Sequence, residues 1–113
     1  ARAAEYSRVF NQRLQQVVGI LNTTADTRIL MFDFYTSFNT ILTRAGAYGI
    51  SNTRDACFDY DHYVLNPACD FDSYIFFDSI HPTAKVHELL GREMARLVRK
   101  SSFLPSIMLL LDE

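Results

Sequence analysis

The chain has 113 residues, a formal net charge of −2, and 49% hydrophobic and 13% aromatic residues. This length fits one domain at most, or a part of one, and the apolar fraction is enough for a packed core. The pI near 5.9 gives no electrostatic reason to expect nucleic acid as a partner, and no apolar run approaches the ~20 residues of a transmembrane segment.

The first part of the chain predicts a helix, a strand and a second helix. Residues 3–21 place apolar side chains at three- and four-residue steps, which is typical of an amphipathic helix. Residues 28–34 are apolar on both faces for most of their length and predict a parallel strand covered by helices. Such a strand needs neighbours, so the residues alone indicate part of a larger α/β domain. Residues 35–45 predict the second helix, ended by Gly46.

Residues 47–73 show no period and predict a long loop. Loops of this length in compact domains tend to be functional or mobile. This one mixes aromatic rings with carboxylates: Tyr48, Phe58, Tyr60, Tyr63 and Phe71 among Asp55, Asp59, Asp61, Asp70 and Asp72. The rings either form a lid or substrate-channel wall, or they pin the loop to the body of the domain.

Two cysteines, Cys57 and Cys69, lie within this loop. A disulfide between them would clip the loop and stabilise the fold by roughly 3 kcal/mol on the chain-entropy model. Two free thiols are the alternative, and the redox compartment decides between them. We expect the disulfide, because a long loop without regular structure gains most from such a clip.

The segment from Tyr74 to Thr83 organises the rest of the chain. Four apolar or aromatic residues lead into Asp78, and His81 follows three positions later, directly before Pro82. Pro82 keeps His81 out of the α region and suits the first position of a helix, so a tight turn at a helix start is predicted. There the Asp78 carboxylate can reach a ring nitrogen of His81.

A carboxylate that orients an imidazole is the orienter–base half of a nucleophilic triad. The carboxylate fixes the tautomer and stabilises the imidazolium, while the other ring nitrogen faces a hydroxyl. Asp78 and His81 are therefore the candidate catalytic residues, although no nucleophile is evident in the chain. The alternative is a histidine that caps a helix beside an incidental aspartate.

The last part of the chain predicts a third helix over residues 82–100, with an apolar stripe and cations in its C-terminal half. Residues 101–113 form an apolar tail. We expect this tail to dock on the body of the domain, with a lipid or partner contact as the alternative.

The run Asp78-Ser79-Ile80-His81-Pro82-Thr83 resembles the last signature block of the GDSL, or SGNH, family of lipases and esterases. In that family an Asp-x-x-His-Pro-Thr run supplies the second and third triad members. The similarity covers roughly residues 6–94, including the Tyr48-Gly49-Ile50 step and the Ala56-Cys57 pair. It is closest to the secreted bacterial branch of phospholipases A, lysophospholipases and glycerophospholipid:cholesterol acyltransferases, a placement that depends on the cysteine-bounded loop.

The resemblance implies the C-terminal portion of a three-layer, flavodoxin-like α/β fold with a central parallel sheet. Residues 1–100 would form this portion of a single domain, residues 101–113 its tail, and most strands would lie outside the chain. The implied activity is hydrolysis of lipid esters through an acyl-enzyme, or acyl transfer, without a cofactor. The serine and oxyanion hole would lie on a companion N-terminal segment, so the chain alone would be inactive. The implied location is secreted, either bacterial extracellular or periplasmic.

Other interpretations of the same residues compete with this one. Asp59-Tyr60-Asp61-His62 repeats the Asp-x-x-His spacing without the Pro-Thr, so His62 is interpreted as a solvated loop residue or a substrate contact. A non-catalytic lipid- or partner-binding module, using the aromatic loop and apolar tail, is the alternative function.

The loop carboxylates and cysteines are possible metal ligands, but their spacing does not match a known metal site. Asp59, Asp61, Asp70 and Asp72 could offer oxygen ligands to Ca²⁺, but the spacing lacks the glycine and the terminal glutamate of the helix–loop–helix calcium site. A zinc site from Cys57, Cys69 and His62 lacks a compact ligand pair. No metal is expected.

Overall fold

The structure, a computed structural model, describes the backbone of residues 2–24 and 26–111 and the side chains of residues 2–24 and 26–102. It divides into two units, residues 1–32 and residues 33–113. None of the helices formed by the described residues is long and apolar enough to span a membrane.

The first unit is dominated by helix α1, Arg2–Thr24, which confirms the helix predicted over residues 3–21. The apolar side chains of its predicted stripe, such as Tyr6, Phe10 and Val17, are exposed. In the last turn of the helix, the side-chain amide of Asn22 donates to Ile29 O at 2.9 Å and accepts from Ile29 N at 2.7 Å. This double hydrogen bond closes the connection after α1.

The prediction of a strand over residues 28–34 is wrong. Residues 28–33 adopt no strand, and Phe34 already belongs to helix α2, Phe34–Thr43. The physical reason lies in the backbone hydrogen bonds, because the N–H and C=O groups of a strand must pair with those of a neighbouring strand. Ile29 instead pairs its backbone with the Asn22 side chain.

Helix α2 begins the second unit and confirms the second predicted helix with shifted ends. Asp33 caps it, with Oδ1 accepting from Thr36 N at 2.9 Å. The α-helix stops at Thr43, and a 3₁₀ turn follows over Ala45–Tyr48. Gly46 lies inside that turn, and Gly49 takes the left-handed φ of 75° that ends it, a conformation that glycine adopts without a Cβ penalty.

Short strands occupy part of the predicted loop. Those within it are β1 (Asn52–Ala56), β2 (Phe58–Asp59) and β3 (Val64–Leu65), and β4 (Tyr74–Phe76) follows directly after it. Strands β1 and β4 pair in parallel, from Asn52 opposite Tyr74 to Ala56 opposite Phe76, whereas β2 and β3 form a small antiparallel hairpin. This mixed α/β arrangement with a parallel pair confirms the predicted fold class, as part of an SGNH-hydrolase fold. The strands within residues 47–73 correct the prediction of an irregular loop.

Helix α3 runs over Ala84–Leu111, two residues later at its start than the helix predicted from Pro82. Pro82 instead forms a bridge with Phe76. The helix also continues into the predicted tail of residues 101–113, whose side chains from 103 onward lie outside the described residues, as does any docking of that tail. The buried core of the unit includes Ile75 of β4 and Val86 of α3.

Candidate active site

The segment between β4 and α3 is a tight turn. Phe77 N–H donates to His81 O at 2.8 Å, and Phe76 is bridged to Pro82. The chain therefore reverses direction between Phe77 and His81, and Asp78 and His81 lie on the same turn. This is the position that the sequence predicts for the pair, although the turn precedes the helix by two residues.

Thr83 anchors the end of this turn. Its N–H donates to Ile75 O at 2.8 Å, and its hydroxyl donates to Tyr74 O at 2.8 Å. The side chain is only 1% exposed, so both hydrogen bonds are shielded from water. Because both acceptors belong to β4, the turn is held against the parallel strand pair at its base.

The Asp78 carboxylate is the centre of the turn's hydrogen bonds. Oδ1 accepts from Ile80 N at 2.9 Å and from His81 N at 2.7 Å. The ring nitrogen Nδ1 of His81 lies 3.0 Å from Oδ1 and 2.8 Å from Oδ2. The Ile80 amide first, and then the His81 ring and amide, lower the pKa of Asp78 to about 2. The group is therefore a carboxylate at neutral pH.

An ionised Asp78 determines the tautomer of His81. A carboxylate can only accept hydrogen bonds, so Nδ1 must carry the proton that it donates. In the neutral ring Nε2 then keeps its lone pair and can act as a base. The His81 side chain is 66% exposed while that of Asp78 is only 6% exposed. Among the described residues, no hydroxyl is hydrogen-bonded to this ring.

The cysteines predicted to pair are joined in the structure. Cys57 and Cys69 form a disulfide with their Cα atoms 5.1 Å apart. Cys57 is fully buried, and its N–H donates to Phe76 O at 3.2 Å. The bridge therefore fastens the aromatic loop beside β4, next to the Asp78–His81 turn. It also removes both thiols from the set of possible zinc ligands.

The second Asp-x-x-His run forms the same kind of turn. Asp59 Oδ1 accepts from the amides of Asp61 at 3.0 Å and His62 at 3.2 Å, and Oδ2 lies 2.7 Å from His62 Nδ1. The side chains of Asp59 and His62 are 52% and 76% exposed, so the carboxylate is far more accessible than that of Asp78. The repeated Asp-x-x-His spacing is the sequence signal for this turn. The interpretation of His62 as a solvated residue or a substrate contact does not include its hydrogen bond to Asp59.

Potential metal ligands do not converge in the described part of the chain. No group of three or more His, Cys, Asp or Glu side chains there could hold an ion.

The sequence model of the GDSL-like lipase/acylhydrolase family matches residues 1–94. The chain belongs to this family. Similar curated proteins are plant proteins from Arabidopsis thaliana. GDSL esterase/lipase At1g29660 is 29% identical over 108 residues, which cover 88% of this chain and 30% of that protein. GDSL esterase/lipase 7 is 24% identical over 92 residues, covering 74% and 25%. The chain thus spans less than a third of the length of these relatives.

Proposed function

We propose that this GDSL-family chain supplies the base and the orienting carboxylate of a serine esterase that hydrolyses lipid esters. His81 is the base and Asp78 its orienter. The observation that carries the proposal is the clamped turn, in which a buried, ionised carboxylate holds Nδ1 of an exposed imidazole. A triad needs this combination, because the orienter must stay ionised while the base remains accessible to a hydroxyl.

The chemistry divides into two half-reactions, acylation of the serine and release of the acyl group, and His81 Nε2 transfers a proton in both. In the first, Nε2 takes the proton of a serine hydroxyl as that oxygen attacks the ester carbonyl. When the ester C–O bond breaks, the imidazolium returns the proton to the leaving alcohol and an acyl-enzyme remains. Nε2 then takes a proton from water, or from another alcohol, as that oxygen attacks the acyl-enzyme. The imidazolium returns this proton to the serine oxygen when the acyl C–O bond breaks and the product leaves. Asp78 stays ionised throughout and stabilises the imidazolium.

The serine and its oxyanion hole are proposed to lie on a companion N-terminal segment of the same enzyme. In this proposal residues 1–100 are the C-terminal part of one SGNH-hydrolase domain, and residues 101–113 are its tail. The small share of each relative's length that the chain covers supports this arrangement. So do the exposed apolar stripe of α1 and the parallel pair of β1 and β4, since a sheet of two strands is marginal by itself. The chain alone would be inactive.

The substrate is proposed to be a lipid ester, with phospholipase A or lysophospholipase activity and acyl transfer as the specific activities to assay. The cysteine-bounded loop supports the bacterial phospholipase and acyltransferase branch, whereas the similar curated proteins reported above come from a plant. A disulfide persists in oxidising compartments, which supports a secreted location. No cofactor is required, because side chains alone carry each step.

Replacing His81 by Ala in the complete enzyme tests the proposal. Removing the histidine of a triad costs on the order of 10⁶ in kcat in subtilisin, so hydrolysis of short acyl esters should fall to near background. His87→Ala, at an exposed position of α3, is the matched control and should keep full activity. A His81→Ala enzyme with more than a tenth of the normal rate would contradict the assignment.

Labelling with a serine-directed phosphonate is the second test. The label should attach to the companion segment and to none of the 113 residues of this chain. If no segment takes the label, a non-catalytic lipid-binding module becomes the better explanation. The exposed rings of Tyr60 and Tyr63 are the observation that favours that alternative.

A further inference from the structure

The two Asp–His turns of the chain begin side by side. Phe58, which precedes Asp59, donates its N–H to the carbonyl oxygen of Phe77 at 2.7 Å. Phe77 in turn precedes Asp78, and the two phenyl rings stack with their centroids 5.8 Å apart. Asp59 and Asp78 therefore each follow one residue of the hydrogen-bonded Phe58–Phe77 pair. The second turn begins next to the first.

A groove connects the second turn to the proposed catalytic turn. Its volume is about 870 Å³, and its walls include Asp59 and His62 from the loop and Ser79 from the Asp78–His81 turn. Ser79 lies directly after Asp78 and two residues before His81. A substrate held near His81 could therefore extend one end into this groove and contact His62.

His62 presents a hydrogen-bond acceptor. The hydrogen bond from its ring is the main cause of the lowered pKa of Asp59, so this carboxylate is ionised at neutral pH and Nδ1 must donate to it. Nε2 of the neutral ring then carries the lone pair. Among the described residues, the Asp59 carboxylate, which accepts from Nδ1, is the one group hydrogen-bonded to this ring.

The groove around His62 carries more negative than positive charge. Asp55, Asp59 and Asp61 line it, against one guanidinium from Arg54. This excess of negative charge disfavours an anionic group beside His62, because like charges repel. A neutral group that donates a hydrogen bond, above all a hydroxyl, complements the site.

We propose that His62, oriented by Asp59, accepts a hydrogen bond from a free hydroxyl on the alcohol part of the ester substrate. It thereby gives the enzyme a preference for polyol esters, such as monoacylglycerols, over esters of simple alcohols. This inference rests on the proposed function, because it requires the ester bond to lie at His81. His62 is a specificity residue in this scheme and takes no proton from the serine.

The test uses the His62→Phe variant of the complete enzyme, which keeps an aromatic ring and removes the acceptor. Two substrates with the same acyl chain are compared, monobutyrin with its free hydroxyls and ethyl butyrate without them. Loss of one neutral hydrogen bond corresponds to roughly a two- to tenfold change. We therefore expect kcat/KM for monobutyrin to fall by about that factor, with kcat/KM for ethyl butyrate unchanged.

Two further variants sharpen the result. Asp59→Asn removes the orienting charge and should lower the same monobutyrin-to-ethyl butyrate ratio in the same direction. His87→Phe makes the matched replacement at an exposed position of α3 and should leave the ratio unchanged.

Either of two results overturns the inference. One is an unchanged kcat/KM of His62→Phe with both substrates, and the other is an equal fractional loss with both, which would assign His62 a structural role. Failure of the proposed function is read separately, from a His81→Ala enzyme that keeps its rate on ethyl butyrate. An inactive His81→Ala enzyme with an unchanged His62→Phe ratio would refute the His62 inference alone.

Discussion

Replacing Asp78 by Asn separates the electrostatic role of this residue from its structural role. The new side chain keeps an oxygen that can accept the amides of Ile80 and His81, now at 2.9 and 2.7 Å from Oδ1, so the turn should persist. The other oxygen, 2.8 Å from His81 Nδ1, becomes an NH₂ group that donates. The imidazole must then carry its proton on Nε2, and this tautomer cannot accept a proton from the serine.

The expected loss of kcat has two causes, which are the missing charge at residue 78 and the changed tautomer of His81. A hydrogen bond to a charged group contributes about 1.5–3 kcal/mol, which is about one to two powers of ten in rate. The same replacement in a trypsin-type triad lowers kcat by about 10⁴, so the wrong tautomer must account for the remainder. We expect kcat to fall by about 10³ to 10⁴ with little change in KM, which is a smaller loss than for His81→Ala.

The assay is hydrolysis of p-nitrophenyl butyrate by the complete enzyme, with thermal unfolding measured to show that the variant is folded. Asp33→Asn is the matched control. Asp33 Oδ1 also accepts an amide three residues later, from Thr36 N at 2.9 Å, and Asn caps helices as well as Asp does. The control should stay within about twofold of wild type. A folded Asp78→Asn enzyme that keeps more than a tenth of its kcat would remove Asp78 from the triad.

The remaining predictions concern stability and are measured on the complete enzyme by denaturant or thermal unfolding. Thr83→Val leaves the buried carbonyl of Tyr74 without its hydroxyl donor and should cost about 1–3 kcal/mol of unfolding free energy. An unchanged unfolding midpoint would contradict the role of Thr83 in holding the turn against β4. Replacing Cys57 and Cys69 together by Ala should cost roughly 3 kcal/mol, and an equally stable variant would show that the bridge contributes nothing. The lowered pKa of Asp78 stabilises the folded state fully above the ordinary value of 3.8, and this contribution disappears as pH falls through about 2. The stability difference between wild type and Asp78→Asn should therefore shrink over that interval, and a constant difference would contradict it.

The helices and the Asp78–His81 hydrogen bond could be predicted from local sequence, because both depend on spacing over a few residues. The apolar period of residues 3–21 specifies α1, and the Asp-x-x-His-Pro run specifies a turn that brings carboxylate and ring together. The strands could not be predicted in the same way. Residues 52–56 are mostly polar and show no alternation, yet they pair with β4 because the fold supplies a partner. Residues 28–34 have the strand composition and form none, because here no partner is supplied.

Pro82 illustrates the same limit at a single residue. Its ring fixes φ and suits the first position of a helix, so the sequence predicts a helix from Pro82 onward. In the structure Pro82 is bridged to Phe76, and α3 starts at Ala84. The bridge and the hydrogen bonds of Thr83 to β4 are long-range contacts that a local pattern does not contain.

Comparison of the two Asp-x-x-His turns shows which part of the proposed catalytic site local sequence can encode. Both turns place the carboxylate against Nδ1 of the histidine at nearly the same distance, 2.7 Å for His62 and 2.8 Å for His81. The histidine amide is hydrogen-bonded in both, at 3.2 Å and 2.7 Å. They differ in the accessibility of the carboxylate, because the Asp78 side chain is 6% exposed and that of Asp59 is 52% exposed. A hydrogen bond shielded from water is electrostatically stronger and keeps the imidazole in one orientation. Spacing therefore builds the pair, whereas the surrounding fold makes only one of the two pairs suited to orient a base.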